Sequence, residues 1–362
     1  MGRSRNSHAF FVSIPKQIIN AEFGSRRQQK FIDMKRIFIS LLTVIACSIA
    51  AMAQDSRVAT LQHGTNIKAY YGPNALVEAH KGAVDGDIIT LSAGEFNAGE
   101  ISKAITIRGE GMDKTVIGDG GSMTFIIPGG SSYPLSLEGL TLRTPNGGAS
   151  LSISGTEGQE TVFISKCALY SFRGQSLTKC NAVIIQSIIE KNSNDYPLTA
   201  YEEANVTCIN SILAGGLSYS SSGKYDLQNC FIEGKLDVAY SSIKNCIISE
   251  VCTVNETNTT SHCLVKEGSE GFADSWYIKA VAPDPGPWDE PDAVVVWDNL
   301  FTGNYHLTDE ASQTYIGTNG TEVGVYGGIY PYEKTPDYPV VKSLDVIGSH
   351  KDGKLNVQIN VE

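Results

Sequence analysis

The stretch LQNCFIEGKLDVAYSSIKNCIISE, residues 227–250, contains nearly the same phrase twice. LQNCFI, from Leu227 to Ile232, returns sixteen residues later as IKNCII, from Ile243 to Ile248. The phrase reads apolar, any, small or amide, small, any, apolar. With slack at its third position it also fits residues 137–142, 164–169, 184–189 and 208–213, and more weakly 260–265. Successive starts lie 27, 20, 24, 19, 16 and 17 residues apart. A constant core with variable spacing is the pattern of a solenoid, in which stacking fixes one segment of each unit and the loops vary.

Each unit is short, rich in β-branched residues and bounded by Gly, Asn and Ser, so it reads as strand and turn. Sixteen residues cannot supply the two amphipathic helices of a helical repeat. Parallel strands stack about 4.8 Å apart, which sets each position of one coil over the same position of the next. The third position holds Gly139, Asn210, Asn229 and Asn245, residues that tolerate a left-handed backbone and can turn a sharp corner. The fourth holds Leu140, Cys167, Ser187, Ser211, Cys230, Cys246 and Cys263. It is expected to be an inward column behind the corner, with thiols acting as small hydrophobes. The predicted structural ladder is therefore Asn210, Asn229 and Asn245 with Cys230, Cys246 and Cys263. No cysteine spacing matches a zinc site, and no metal is assigned.

Residues 34–54, MKRIFISLLTVIACSIAAMAQ, have the pattern of a secretory signal: Lys35 and Arg36, an uncharged run from Ile37 to Ala53, and small residues at Ala51 and Ala53 before Gln54. Met34 reads as the start and residues 1–33 as a disordered upstream extension. Cleavage after residue 53 would leave no membrane span, and the expected location is the periplasm, the outer-membrane surface or the medium. Val44 to Cys47 also resembles a lipobox, so lipoprotein processing stays open. Residues 1–53 hold eight of the 28 basic and two of the 39 acidic residues, which leaves a net charge of −17 on the remainder. Such a surface repels nucleic acid and anionic lipid.

At the N-terminal end, GDIITL (Gly86 to Leu91), GEF (Gly94 to Phe96) and ITIRG (Ile105 to Gly109) follow a stretch, Pro73 to Ala83, that can form a short amphipathic helix. Together with the repeat, this resembles the right-handed parallel β-helix proteins of the pectate-lyase-like superfamily, of the bacterial secreted type. The resemblance covers residues 60–330. It implies an all-β, right-handed parallel β-helix solenoid with an N-terminal capping helix, in which His80 is a cap residue. Residues 299–330 resemble the last coil of such proteins, with His306 structural. Residues 337–362 show β-patterned stretches around Gly348 to Gly353, with Leu355, Val357, Ile359 and Val361 alternating, and are expected to form a C-terminal β-hairpin tail.

The resemblance implies that any chemistry lies on the outer face of one long sheet. That sheet is expected at Ala149–Ile153, Gln175–Lys179, Leu198–Glu202, Leu217–Ser221, Leu236–Tyr240 and Val251–Val254. Alternation then points Ser150, Ser152, Ser176, Thr178, Thr199, Tyr201, Ser218, Ser220, Asp237, Ala239 and Thr253 outward. A glycosidase needs two carboxyls roughly 5–9.5 Å apart, and a calcium-dependent lyase needs several carboxylates and a base. This face offers Asp237, with Glu202 or Glu203 as the nearest supplement; Asp237, Tyr201 and Glu203 are the catalytic candidates. Trp276 and Trp288 are candidate sugar-stacking rings. The expectation is a monomeric exported β-helix that contacts polysaccharide or serves structure and interaction without catalysis or cofactor. The alternatives are a diverged polysaccharide lyase or glycoside hydrolase, with calcium as cofactor if a lyase, and a cell-surface scaffold or adhesion module.

Overall fold

The computed structural model describes residues 57–118, 122–144, 150–157, 160–171, 174–190, 198–219, 222–280, 295–338, 341–346 and 357–361. The chain winds through three strands per coil, and like strands of successive coils pair in parallel to form three long sheets. In one coil, Leu198–Tyr201 lies in the third sheet, Asn205–Ile209 in the first and Ile212–Leu213 in the second; Leu217–Tyr219 then returns to the third sheet. The fold is a parallel β-helix solenoid.

Register makes each column of the interior continuous. In the first sheet Ile107, Leu137, Ile164, Ile184, Cys208, Leu227 and Ile243 are successive partners, and all are buried. A one-residue slip would send the whole column to solvent, so burial itself fixes the register.

The corner between the first and second sheets is a single left-handed residue. Gly139, Lys166, Gln186, Asn210, Asn229, Asn245 and His262 occupy it, with φ between +47° and +61°. Each backbone N–H donates to the next coil, as from Asn210 to the Gln228 carbonyl and from Asn229 to the Lys244 carbonyl. Behind the corner, residues Leu140, Cys167, Ser187, Ser211, Cys230, Cys246 and Cys263 are fully buried. Their hydroxyls and thiols donate to the carbonyl two residues back: Ser187 to Ile185 (2.8 Å), Ser211 to Ile209 (2.9 Å) and Cys246 to Lys244 (3.2 Å). This shared bond explains why Ser and Cys interchange in the column. The thiols do more than fill space.

At the N-terminal end, helix α1 (Ala75–Gly82) buries Ala75, Leu76, Ala79 and His80 against the first coil. The Lys103 ammonium donates to the carbonyls of His80 and Ala83, which places a cation at the negative end of the helix. The helix does not cap the sheet alone, as the sequence suggested. An antiparallel hairpin, Val58–His63 with Asn66–Tyr71, pairs with Ile88–Leu91 and satisfies the open edge of the first sheet.

The C-terminal end departs from expectation. Residues 299–330 do not form the last coil. Trp276–Ile278 is the last strand of the second sheet, followed by a bridge between Lys279 and Val296. Phe301–Gly303 and His306–Leu307 then pair antiparallel, and helix α2 (Asp309–Thr314) follows. From Tyr315 the chain runs back along the solenoid. The physical reason is an apolar outer face on the later coils: Ile212, Phe231, Ile247, Leu264 and Ile278 need cover. They pack against Trp297, Leu300, Leu307, Ala311, Tyr315, Val323 and Val325.

The returning segment is clasped by the corner residues. Asn245 Oδ1 accepts from the Thr318 amide (2.9 Å), and Asn229 Oδ1 accepts from Asn319 Nδ2 (3.2 Å). Asn210 Nδ2 donates to the carbonyls of Val325 (2.8 Å) and Gly327 (2.6 Å). Gln186 Nε2 donates to the Pro331 carbonyl, and the buried Lys166 donates to the Thr335 carbonyl and to Asp337, both at 2.6 Å. Tyr338 donates to the Gly109 carbonyl (2.6 Å). Residues 318–338 thus form a strap up the corner ladder. Beyond it, Val341–Val346 and Val357–Val361 pair antiparallel as a hairpin.

Candidate functional site

The third sheet carries the outer face singled out from the sequence. Its strands Leu151–Gly155, Gln175–Thr178, Leu198–Tyr201, Leu217–Tyr219 and Leu236–Asp237 are in register, so Ser152, Ser176, Thr199, Ser218 and Asp237 form one column. Leu151, Leu198, Leu217 and Leu236 point into the core and force these neighbours out. The hydroxyls of Thr199 and Ser218 are 3.1 Å apart and share a hydrogen bond. Ala239 does not extend the face: the last strand stops at Asp237, alternation ends with it, and Ala239 is buried. Ser220 lies outside the described residues.

Tyr201 ends its strand, exposed, and Glu202 and Glu203 turn the chain with φ of +43° and +65°. Glu202 pairs with Lys179 at 3.3 Å, and the Glu203 amide donates to Ser222 Oγ at 3.0 Å. Asp237 is two rungs away, on the coil below Ser218 and Thr199. Two rungs amount to roughly 9.6 Å. No hydrogen bond or ion pair among the described residues joins Asp237 to Tyr201 or Glu203. Asp237 and Tyr201 lie on the sheet and Glu203 in the turn beyond it, and the three do not converge on one point.

Trp276 sits in the second sheet, half-buried, edge-on to Tyr315 (ring centroids 5.5 Å) and to His262 (5.8 Å). Tyr315, from the C-terminal segment, packs directly against Trp276. Trp288 lies outside the described residues. His306 is exposed and stacks on Tyr326 at 3.5 Å. His80 Nε2 accepts from the Ser102 amide, and burial, followed by the Lys103 charge, lowers its pKa.

Among the described residues the cysteines are free and buried. Burial pushes Cys167 and Cys180 up to about 12, and Cys263 up to about 11. A nucleophilic or metal-binding thiol must ionise, so these thiols are chemically quiet. Among the described residues no group of three or more His, Cys, Asp or Glu side chains is placed to hold a metal ion.

Sequence reasoning missed a groove of about 450 Å³ on the outer face of the first sheet. Thr207, Asp226, Ser242 and Thr259 form its central column by direct register. Lys224 lies on one side, and Tyr240 stands at the rim with 69% of its surface exposed. Asp226 Oδ2 accepts from Gln228 Nε2 at 3.0 Å, while Asp226 Oδ1 and Ser242 Oγ are buried without a hydrogen-bond partner. The alternation Lys224, Asp226, Gln228 marks these side chains as outward in the sequence, but it does not show that they meet Tyr240. Among the described residues no helix is long and apolar enough to cross a membrane. In comparisons with known proteins, no family model, curated protein or solved structure matches this chain.

Proposed function

We propose that the chain is an exported, monomeric and non-catalytic parallel β-helix of the pectate-lyase-like superfamily that contacts polysaccharide along its outer sheet faces. The observation that carries this reading is the in-register column Ser152, Ser176, Thr199, Ser218 and Asp237. Stacked hydroxyls repeat about every 4.8 Å and offer donors and acceptors along a line. An extended chain of sugar hydroxyls presents complementary groups along its length. Export rests on the signal-like pattern of residues 34–53, and the superfamily rests on the GDIITL, GEF and ITIRG phrases with the repeat.

The test is incubation of the purified protein with a panel of plant and host polysaccharides, with and without calcium, read for retention and for new chain ends. Retention without products supports the proposal. Release of unsaturated or reducing ends makes the protein a lyase or hydrolase instead. The absence of both retention and products refutes the glycan reading.

A further inference from the structure

The first-sheet groove carries a second and more local reading. Tyr240 adopts φ +52° at the corner that leads from the third sheet into the first. A bulky side chain is strained there, and the residue is 69% exposed, so packing does little to offset the strain. Lys179 and Glu203 take the same left-handed conformation where earlier coils turn from the third sheet into the first, so the turn belongs to the fold, and the exposed tyrosine is what is particular to this corner. The rim is also well ordered by hydrogen bonds. The Tyr240 amide donates to Thr257 Oγ1 (3.3 Å), the Ser241 amide to Asn258 Oδ1 (3.0 Å) and the Tyr225 amide to Ser241 Oγ (3.0 Å).

Polar atoms without partners lie buried in the floor of the groove. The Asp226 carboxylate accepts one hydrogen bond, from Gln228, where such a group accommodates about four. Ser242, its direct register partner, has an unpartnered hydroxyl. Thr207 and Thr259 extend the column on either side. One ammonium, Lys224, and one carboxylate, Asp226, leave the groove locally neutral, on a chain that is acidic overall. Its volume of about 450 Å³ lies within the range of roughly 300–1,000 Å³ usual for small-ligand sites.

We infer that this groove is a subsite for a neutral sugar residue. Tyr240 is its stacking platform, Asp226 accepts the ligand's hydroxyls, and Ser242 and Lys224 supply flanking polar contacts. An exposed tyrosine and a carboxylate in one groove are the two group types that suit a pyranose, with its C–H face and its hydroxyl edge. The ligand class rests on the glycan reading proposed above; the location does not, since the groove is on a different sheet from the hydroxyl column.

The test titrates the full-length protein with neutral hexasaccharides of glucose, xylose and mannose, and with hexagalacturonate as an anionic comparison. Affinity is read by calorimetry and location by amide chemical-shift changes. A neutral probe should shift amides at Thr207, Asp226 and Ser242. Tyr240→Asn should weaken it at least tenfold without lowering the unfolding midpoint, because Asn accepts the left-handed corner. Asp226→Asn should weaken it comparably, and Tyr240→Phe should retain binding. Binding that survives both Tyr240→Asn and Asp226→Asn overturns the groove and leaves the glycan reading standing. A preference for hexagalacturonate overturns the neutral class. A blank panel removes both readings.

Discussion

Replacing Asn210 separates two roles that the corner ladder could play. If Asn210 only turns the chain at φ +47°, then glycine is an adequate substitute, since it meets no left-handed penalty. Asn210→Gly would then change stability by no more than about 1 kcal/mol. The structure gives Asn210 a second task. Its side chain, in a residue only 1% exposed, donates to the carbonyls of Val325 and Gly327. Two lost hydrogen bonds remove about 2 kcal/mol, and carbonyls left dry raise the cost towards about 4 kcal/mol. Asn210→Ala should cost about 1–2 kcal/mol more, because alanine also bears the left-handed strain.

The loss is local, so native-state hydrogen exchange is the right assay. Gly324 and Tyr332 have amides bonded within or beneath the strap, to Asn245 and Val325. Their protection should fall about 30- to 1,000-fold in Asn210→Gly, the range that corresponds to about 2–4 kcal/mol. Amides of the early first sheet, such as Ile107, should keep theirs. Asn210→Asp should be worse than Gly, since a carboxylate would face two carbonyl oxygens. Unchanged protection at Gly324 and Tyr332 in the glycine variant would refute the clasp and leave the corner as a turn alone.

Other expectations follow from the same contacts. Lys166→Met should loosen residues 332–338, where the ammonium holds Thr335 and Asp337, and limited proteolysis should then cut within that segment before the solenoid is attacked. The native thiols should resist alkylation at pH 8, because burial holds Cys167 and Cys180 near 12 and Cys263 near 11; labelling of Cys167 in the folded state would contradict the packing. The folded pKa of His80 is depressed by burial, so below about pH 6.5 the unfolded chain binds a proton that the folded one resists. Stability of the N-terminal cap should therefore fall as pH drops below that value, and His80→Gln should flatten the dependence between pH 5.5 and 6.5 in thermal melts. Glu190 and Glu322 act with the opposite sign nearer pH 4.5, since burial raises their pKa and the folded state takes up protons first.

One signal for the strap was present in the sequence and went unread. Four late second-sheet strands begin with a pair of adjacent apolar residues: Ile212-Leu213, Phe231-Ile232, Ile247-Ile248 and Leu264-Val265. Neighbours on a strand face opposite ways, so a doubly apolar pair requires cover on both sides. Leu213, Ile232, Ile248 and Val265 pack in the main core, while Ile212, Phe231, Ile247 and Leu264 pack under the C-terminal segment. The N-terminal hairpin was legible too, in the Val58 to Leu61 alternation and the Gly64 turn. Lys166, Gln186 and His262 could not be recognised as corner residues from type alone, because a left-handed conformation is uncommon for them. The groove depended on where Tyr240 stands relative to Asp226, and sequence spacing does not give that.

The repeat by itself determined the coil. When one short phrase recurs with an apolar column, a small column and a corner residue, stacking is the arrangement that buries every copy at once. That logic is local and acts between nearest neighbours, so a linear string is enough to contain it. Which flank of the stack is covered, which carbonyls the asparagine side chains meet and which polar atoms share a groove were decided by tertiary structure. Those contacts join Asn210 to residues 115 and 117 positions away. Loops of variable length erase any fixed spacing between such partners, and only the folded chain brings them within hydrogen-bond reach.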